Sequence, residues 1–209
     1  MQSDLLGTRQ LHKSWTDKEI AFYEKAVEFA RVAHQGAKRK GTDNPYINHP
    51  IETSLIVYDM TDDVEVVAAA VLHDVIEDTS YTREDIENKF GTRVAMLVAD
   101  ESEDKMRHMS ASDSWMLRKE ATIAHLKKAS IEVKIIALAD KLSNMRDTMR
   151  DYAIKGDDIW QKFNQKDKSK HEWYQRSILK NTEELNYTDA WKEYKELCDK
   201  VFGGEENDM

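Results

Sequence analysis

The sequence predicts an all-α protein, and three observations carry the prediction. Two prolines and seven glycines are the few helix breakers in 209 residues, of which 34% are charged. The helix-favouring residues Ala, Leu, Glu, Lys and Met are abundant. Apolar residues recur at helical spacing, and no segment shows the alternation typical of strands. Because no linker-like composition divides the chain, we expect a single domain over residues 1–209.

Standard start signals mark where several helices should begin. Thr16 to Glu19 has the capping-box pattern, so the first helix should run from there to about Gln35. Pro50 suits the first turn of a second helix, which the basic, turn-rich loop AKRKGTDNPYINHP precedes. A third helix should begin after Asp62 or Asp63 and include the apolar segment VEVVAAAVL. Thr82 to Asp85 gives another cap signal, before a short helix that should end near Phe90. The further helices that we expect lie at about 93–100, 115–128, 132–149, 166–181 and 189–201.

The composition favours a soluble, cytoplasmic protein. No apolar run approaches the roughly 20 residues that span a bilayer, and the N-terminal MQSDLLGTRQLHKSW lacks the layout of a signal peptide. Cys198 is the single cysteine, so no internal disulfide can form and a reducing compartment is the simplest location. We therefore expect no contact with a membrane.

The formal net charge of -9 disfavours binding to long nucleic acids, which depends on neutralising many phosphates. A small phosphorylated ligand stays compatible with this charge, because a metal and a local basic cluster can reverse its sign inside one cleft. Exposed aromatic residues late in the chain are compatible with a homo-oligomer without indicating one.

An unusual group of charges ends the most apolar segment of the chain. After VEVVAAAVL come His73, Asp74, Glu77 and Asp78. On a continuous helix, His73 and Glu77 would be four residues apart, as would Asp74 and Asp78, so the pairs would share one surface. Buried charges are costly unless they are paired or bind a metal. The alternative is a helix end that emerges into solvent, where acidic residues are ordinary.

Two other stretches favour the metal interpretation. YINHP places His49 next to a predicted helix start, although a lone histidine there is more often a cap or a packed loop residue. IIALADKL carries Asp140 into an apolar helix, with Asn144 one turn further on. Two imidazoles and two carboxylates form a mixed nitrogen and oxygen ligand set. Such a set suits Mn²⁺, Fe²⁺, Co²⁺ or catalytic Zn²⁺. It is unlike the ligand set of a structural zinc site.

The order of these motifs resembles that of the HD-domain metal-dependent phosphohydrolases. More narrowly, the chain is similar to the (p)ppGpp hydrolases of the RelA/SpoT homologue family, especially the small stand-alone alarmone hydrolases. The resemblance is carried over about residues 33–146 by AHQGAKRKGTDNPYINHP, AAAVLHDVIEDT, FGTRVAMLVADESEDK and VKIIALADKLSNMR. It implies a single HD-domain helical bundle with additional C-terminal helices. The metal-site core would cover about 18–150, the helical extension about 151–201, and a disordered tail 203–209.

The resemblance also implies roles for individual residues. A divalent metal, Mn²⁺ before Fe²⁺, Co²⁺ or Zn²⁺, would be held by four ligands: His49, His73, Asp74 and Asp140. Glu77 and Asp78 match the acidic pair thought to position or deprotonate the attacking water. The residues matched to substrate binding, or extending that group, are Arg39, Lys38, Lys40, Tyr46, Asn144 and Lys141. For Tyr46 the alternative is a packed loop aromatic. Lys141 and Arg146 could pair with phosphates of the substrate, and the alternative for both is a solvated helix surface.

The function implied is hydrolysis of ppGpp or pppGpp at the 3′-pyrophosphate, which gives GDP or GTP and pyrophosphate. One alternative keeps the mechanism and changes the substrate to another small phosphorylated nucleotide, such as one with a 3′-phosphate. Another is a non-catalytic nucleotide sensor on the same scaffold. The aromatic residues around Trp160 are typical of core packing. The charge run ESEDKMRH is typical of a solvated loop, and the alternative is that its acidic residues contact the residues around the site or form a lid over it.

Overall fold

The computed structural model describes residues 15–106 and 108–204, so the N-terminal leader prediction and most of the predicted tail lie outside the described residues. Within these ranges the regular structure is helical, apart from one isolated bridge between Lys38 and Pro45. This confirms the all-α prediction. The helices are α1 (Asp17–Ala33), α2 (Asn48–Met60), α3 (Val64–Leu72), α4 (Val75–Asp78), α5 (Arg83–Phe90), α6 (Thr92–Glu101), α7 (Trp115–Leu126), α8 (Ile131–Lys155), α9 (Lys168–Asn181) and α10 (Asp189–Phe202), with 3-10 helices at Gly156–Lys162 and Glu183–Leu185.

The predicted helix starts hold where a side-chain cap was recognised. The Thr16 hydroxyl accepts a hydrogen bond from the Glu19 amide, and the Glu19 carboxylate accepts one from the Thr16 amide at 2.7 Å. Thr82 and Asp85 form the same reciprocal pair at the start of α5. Asp63 caps α3 by accepting from the Glu65 amide. These bonds satisfy amides that the first turn of a helix leaves without partners.

The expectation of one continuous helix through residue 78 is wrong. α3 ends at Leu72 and α4 begins at Val75, so His73 and Asp74 form a turn between two helices. The His73 Nδ1 lies 2.8 Å from the Ala70 carbonyl oxygen. A continuing helix would give that carbonyl to the Asp74 amide. The side chain of His73 thus competes for the acceptor at the point where the helix stops.

Two other elements differ from their predicted bounds. α2 begins at Asn48, so His49 lies in its first turn and not before it. α8 continues to Lys155 and stops at Gly156, whose φ of 57° favours glycine. No proline or glycine lies between the predicted end at residue 149 and Gly156, so the sequence has no helix breaker in this extension.

α3 and α8 form the centre of the core. Every residue from Val66 to Leu72 is buried, and α3 packs against α1, α2, α6 and α8. α8 packs in turn against α2, α6 and α10. His73 directly follows α3 and Asp140 lies in the buried part of α8. The packing of these two helices therefore brings their ionisable groups together inside the core.

The aromatic residues of the C-terminal region pack on one another. The Trp160 ring stacks on His171 at 4.9 Å and on Phe202 at 5.6 Å, measured between ring centroids. Trp160 and Tyr174 are buried. The core-packing interpretation of this segment is therefore correct. No helix in the described part of the chain is both long enough and apolar enough to cross a membrane.

Shortening a buried side chain of α8 tests the central place of this helix. Ile136 is fully buried, so Ile136→Ala should lower the free energy of unfolding by about 2–5 kcal/mol. On the same helix, Ile154 is 81% exposed, and Ile154→Ala should change it by less than about 0.5 kcal/mol. Urea denaturation followed by circular dichroism measures both. Equal effects of the two substitutions would contradict the packing described.

Candidate metal centre

Three of the four predicted metal ligands form one close group, and the fourth, Asp74, lies beside both histidines. His49 Nε2 lies 3.0 Å from Asp140 Oδ1 and 3.6 Å from Asp74 Oδ2. His73 Nε2 lies 3.0 Å from Asp74 Oδ2 and 3.6 Å from Asp140 Oδ1. His49, His73 and Asp140 offer ligand atoms within 4.8 Å of one another. α2, the turn after α3, and α8 thus contribute two nitrogen and two oxygen donors to a buried site.

The hydrogen bonds of the two imidazoles show that this donor set fits a cation. The Ala70 carbonyl can only accept, so the His73 Nδ1 beside it carries a proton. In the neutral ring, Nε2 then presents a lone pair to the carboxylates. That buried Nε2 has no hydrogen-bond partner among the described residues. Lone pairs of nitrogen and oxygen at 3.0 Å repel each other unless a positive charge lies between them. A proton on Nε2 meets this requirement, and so does a divalent metal that replaces the proton.

The electrostatics of the site agree with this geometry. Burial opposes the ionisation of Asp140, but Lys141 and the two histidines outweigh it and hold the pKa of Asp140 well below its usual range. Without a metal, a proton on Nε2 supplies the positive charge between these groups: burial opposes the protonation of His73, yet Asp74 and Asp140 raise the pKa of His73 well above its usual value. Two ionised carboxylates at the bottom of a buried pocket attract positive charge strongly.

The predicted acidic pair lies beside the four ligands. Glu77 and Asp78 on α4 line the same cavity, whose volume is about 400 Å³. The Glu103 amide donates to Glu77 Oε2 at 3.1 Å, and the Lys105 ammonium contacts Asp78 and lies 3.6 Å from Glu77 Oε1. Burial, together with the charge of Asp74, raises the pKa of Glu77. The pair is thus held in place by the segment that follows α6.

That segment, residues 102–106, is anchored by a side chain whose role the sequence did not reveal. Glu103 is partly buried, lines the cavity, and accepts hydrogen bonds from three residues of α7: Arg118, Lys119 and Thr122. The solvated-loop interpretation is therefore wrong for Glu103, whose main-chain amide contacts Glu77. Arg118 and Lys119 also line the cavity. Their helix carries no motif that singles them out.

Tyr46 and Asn144 contact metal-ligand candidates directly. The Tyr46 hydroxyl donates to Asp74 Oδ2 at 2.6 Å, and the Asn144 amide donates to Asp140 Oδ1 at 2.6 Å. Asn144 Oδ1 accepts in turn from Arg39 at 2.8 Å. Both side chains line the cavity, so they orient the carboxylates while facing the space that a ligand would fill.

The predicted basic residues occupy different places. Arg39 pairs with Asp147 at 2.6 Å and lines both this cavity and an adjoining one of about 470 Å³. Lys40 lines the adjoining cavity, and Lys141 contacts Asp140 and lines both. Lys38 instead pairs with Asp43 at 2.6 Å and lines neither.

Arg146 neither faces the cavities, as a phosphate contact would, nor lies on a solvated helix surface. Its guanidinium pairs with Glu52 at 3.0 Å and with Glu193 at 2.6 Å, and it lines neither cavity. Arg146 therefore joins α8 to α2 and α10 through two ion pairs.

Metal binding should stabilise the folded chain through Asp140. We expect Mn²⁺ to raise the melting temperature of the wild type, since a ligand at about 100 times its Kd adds ~2.7 kcal/mol to the free energy of unfolding. Asp140→Asn keeps the size of the side chain but removes its charge, so Mn²⁺ should leave its melting temperature unchanged. Differential scanning calorimetry with and without Mn²⁺ measures both. An equal rise in the two proteins would place the metal elsewhere.

Comparison with known proteins agrees with this geometry. The HD domain family model matches residues 26–168, more than half of the chain. The guanosine-3′,5′-bis(diphosphate) 3′-pyrophosphohydrolase MESH1 of Danio rerio is 38% identical over 127 residues, which cover 59% of this chain and 67% of the relative. MESH1 of Drosophila melanogaster is 38% identical over 61% of this chain and 69% of the relative. The bifunctional (p)ppGpp synthase/hydrolase SpoT of Escherichia coli is 38% identical over 62% of this chain, but only 18% of SpoT is covered.

A solved structure shows the same arrangement of helices. It is that of a metazoan ortholog of SpoT that hydrolyzes ppGpp and plays a role in starvation responses. It superimposes with a TM-score of 0.71 at 28% identity, over 88% of this chain and 97% of that one. With the family model and the MESH1 relatives, this result identifies the family. The chain belongs to the HD-domain family, in the group that contains the small 3′-pyrophosphohydrolases of the MESH1 type.

Proposed function

We propose that this protein is a metal-dependent hydrolase that removes the 3′-pyrophosphate of ppGpp or pppGpp and leaves GDP or GTP. The observation that carries the proposal is the convergence of two imidazoles and two carboxylates beside the acidic pair Glu77 and Asp78 in one cavity. The activity named for the MESH1 relatives, which share 38% of their aligned residues with this chain, supports the same reaction.

The ligands we propose are His49, His73, Asp74 and Asp140, and the metal we propose first is Mn²⁺, with Fe²⁺, Co²⁺ and Zn²⁺ as alternatives. When bound, a divalent metal lowers the pKa of a water molecule and polarises a phosphoryl oxygen. The burial of this site keeps bulk water away from its charges, which strengthens their electrostatic effect on a bound phosphate.

We propose that the acidic pair accepts a proton from the attacking water. Glu77 is the better base of the two because burial and Asp74 raise its pKa. The Glu103 amide and the Lys105 ammonium hold the two carboxylates in place. The water oxygen bonds to the phosphorus next to the ribose, the bond from that phosphorus to the 3′-oxygen breaks, and the 3′-oxygen leaves with a proton as the ribose hydroxyl.

The two adjoining cavities give the nucleotide a place to bind. At about 400 and 470 Å³, each falls in the size range of small-molecule sites. Arg39, Lys119, Lys141 and Asn144 line both, so one nucleotide can extend from one into the other. We propose that the 3′-pyrophosphate lies at the ligand cluster and that the nucleoside lies toward Lys40. Lys38 would act at longer range, since Asp43 already pairs with it.

The same geometry supports an alternative substrate, another nucleotide with a 3′-phosphate, because the ligand cluster does not by itself select the leaving group. The acidic pair argues against a non-catalytic sensor. We further propose that the chain acts as a single domain, since α9 and α10 pack on α8 and share one core with the N-terminal helices. The single cysteine and the composition support a location in the cytoplasm.

A product analysis tests the proposal. Purified protein with Mn²⁺ and ppGpp should release GDP and pyrophosphate, resolved by anion exchange, while Asp74→Ala should release neither. Glu28→Ala, which removes an exposed carboxylate from α1, is the matched control and should keep full activity. Release of phosphate from another nucleotide, with ppGpp left intact, would support the alternative substrate and contradict the alarmone.

The pH dependence of the reaction tests the acidic pair. Lys105 lowers the pKa of Glu77, so Lys105→Met should raise it. A base must be deprotonated to act, so the acidic limb of the kcat profile should move to higher pH. Lys155→Met, which changes an exposed lysine far along α8, should leave the profile in place. An unchanged acidic limb in Lys105→Met would contradict the role of Glu77.

A further inference from the structure

A chain of hydrogen bonds leads from His49 to the C-terminal helix. His49 Nδ1 lies 2.9 Å from Ser143 Oγ, and that hydroxyl donates to Glu52 Oε2 at 2.8 Å. Arg146 donates to the other oxygen of Glu52 at 3.0 Å. The same guanidinium binds Glu193 on α10 with two hydrogen bonds of 2.7 and 2.6 Å. The metal site is thus connected to α10 through three side chains.

The groups along this series of hydrogen bonds determine which atom donates in each one. A guanidinium only donates, so the Glu52 oxygen that faces Arg146 accepts. Ser143 gives its one proton to the other Glu52 oxygen, and its own oxygen is left to accept from His49. The His49 Nδ1 must then carry the ring proton. Nε2 is left with a lone pair that faces Asp74 and Asp140, which is the form of imidazole that binds a metal.

The two histidines of the site are therefore oriented by different means. His73 is held by a main-chain carbonyl, which no substitution removes. His49 is held by side chains of two helices: Ser143 of α8 contacts His49 of α2, and Glu52 of α2 contacts Ser143 in turn. Glu52 lies one turn after His49 on α2, and Ser143 lies one turn after Asp140 on α8. Ser143 is fully buried and His49 nearly so, which makes the hydroxyl the direct partner of the ring.

We propose that Ser143 and Glu52 are positioning residues that set the tautomer and orientation of His49 for metal binding, with Arg146 and Glu193 holding Glu52. This inference rests on the metal site of the proposed function. Partners of this kind typically contribute 10- to 100-fold to metal affinity, so the loss of either Ser143 or Glu52 should weaken metal binding by about that factor.

The test is the Kd for Mn²⁺ of the full chain without nucleotide, measured from the electron paramagnetic resonance signal of the free ion. Ser143→Ala and Glu52→Ala should each raise the Kd by about 10- to 100-fold. Because both act through His49, the double variant should bind no more weakly than the weaker single variant. Ser54→Ala is the matched control: it removes another buried hydroxyl, on α2, that bonds Tyr23 and Ile51 and not His49, and it should leave the Kd unchanged.

The outcomes separate this inference from the metal site itself. Tight Mn²⁺ binding by the wild type with an unchanged Kd in both single variants would overturn the positioning role alone, and so would two losses that multiply in the double variant. A wild type that does not bind Mn²⁺ would overturn the metal site and the positioning role together. Glu52 is about one third exposed, so Glu52→Ala should fold even if Ser143→Ala does not, and the melting temperature without metal checks both.

Discussion

The structure depends on one electrostatic constraint: four donor groups face one another at the largely buried end of a cavity. The ring nitrogens of His49 and His73 lie 3.0 Å from the carboxylates of Asp140 and Asp74. Such an arrangement is stable only around positive charge. The packing of α3 and α8 creates this burial, and the hydrogen bonds at the rear of each ring make it specific for a cation. The acidic pair and the two cavities then surround the point where that charge acts.

The remaining hydrogen bonds of the site limit the movement of these four donors. Tyr46 and Asn144 each occupy one carboxylate oxygen, and the Ala70 carbonyl and Ser143 each occupy one ring nitrogen. Each ligand therefore has a second partner that limits its rotation, as metal sites generally require. Glu103 performs the same task for the segment over Glu77 by accepting from α7. The contacts that hold the centre come from several helices and from the segments that join them.

Much of this arrangement could be predicted from the sequence, because its signals are local. Capping boxes at Thr16 and Thr82 marked helix starts, and charged groups inside apolar runs marked His73, Asp74 and Asp140 as residues that need a partner. The break between α3 and α4 was missed because it arises from a side chain that competes for one carbonyl, which leaves no trace in the hydrophobic pattern. Glu103, Arg118 and Ser143 were missed for a similar reason: each acts through a tertiary contact between residues far apart in the chain.

The most direct test of the central constraint is a crystal structure of the protein grown with Mn²⁺, with data collected at the manganese absorption edge. One anomalous peak is expected between His49 Nε2, His73 Nε2 and the carboxylates of Asp74 and Asp140, with each donor within ~2.3 Å of it. The imidazoles and Asp140 should move little, because they already lie within 4.8 Å of one another, whereas the Asp74 carboxylate should turn toward the metal. A peak elsewhere on the chain, or no peak while the four side chains keep their present contacts, would contradict the account.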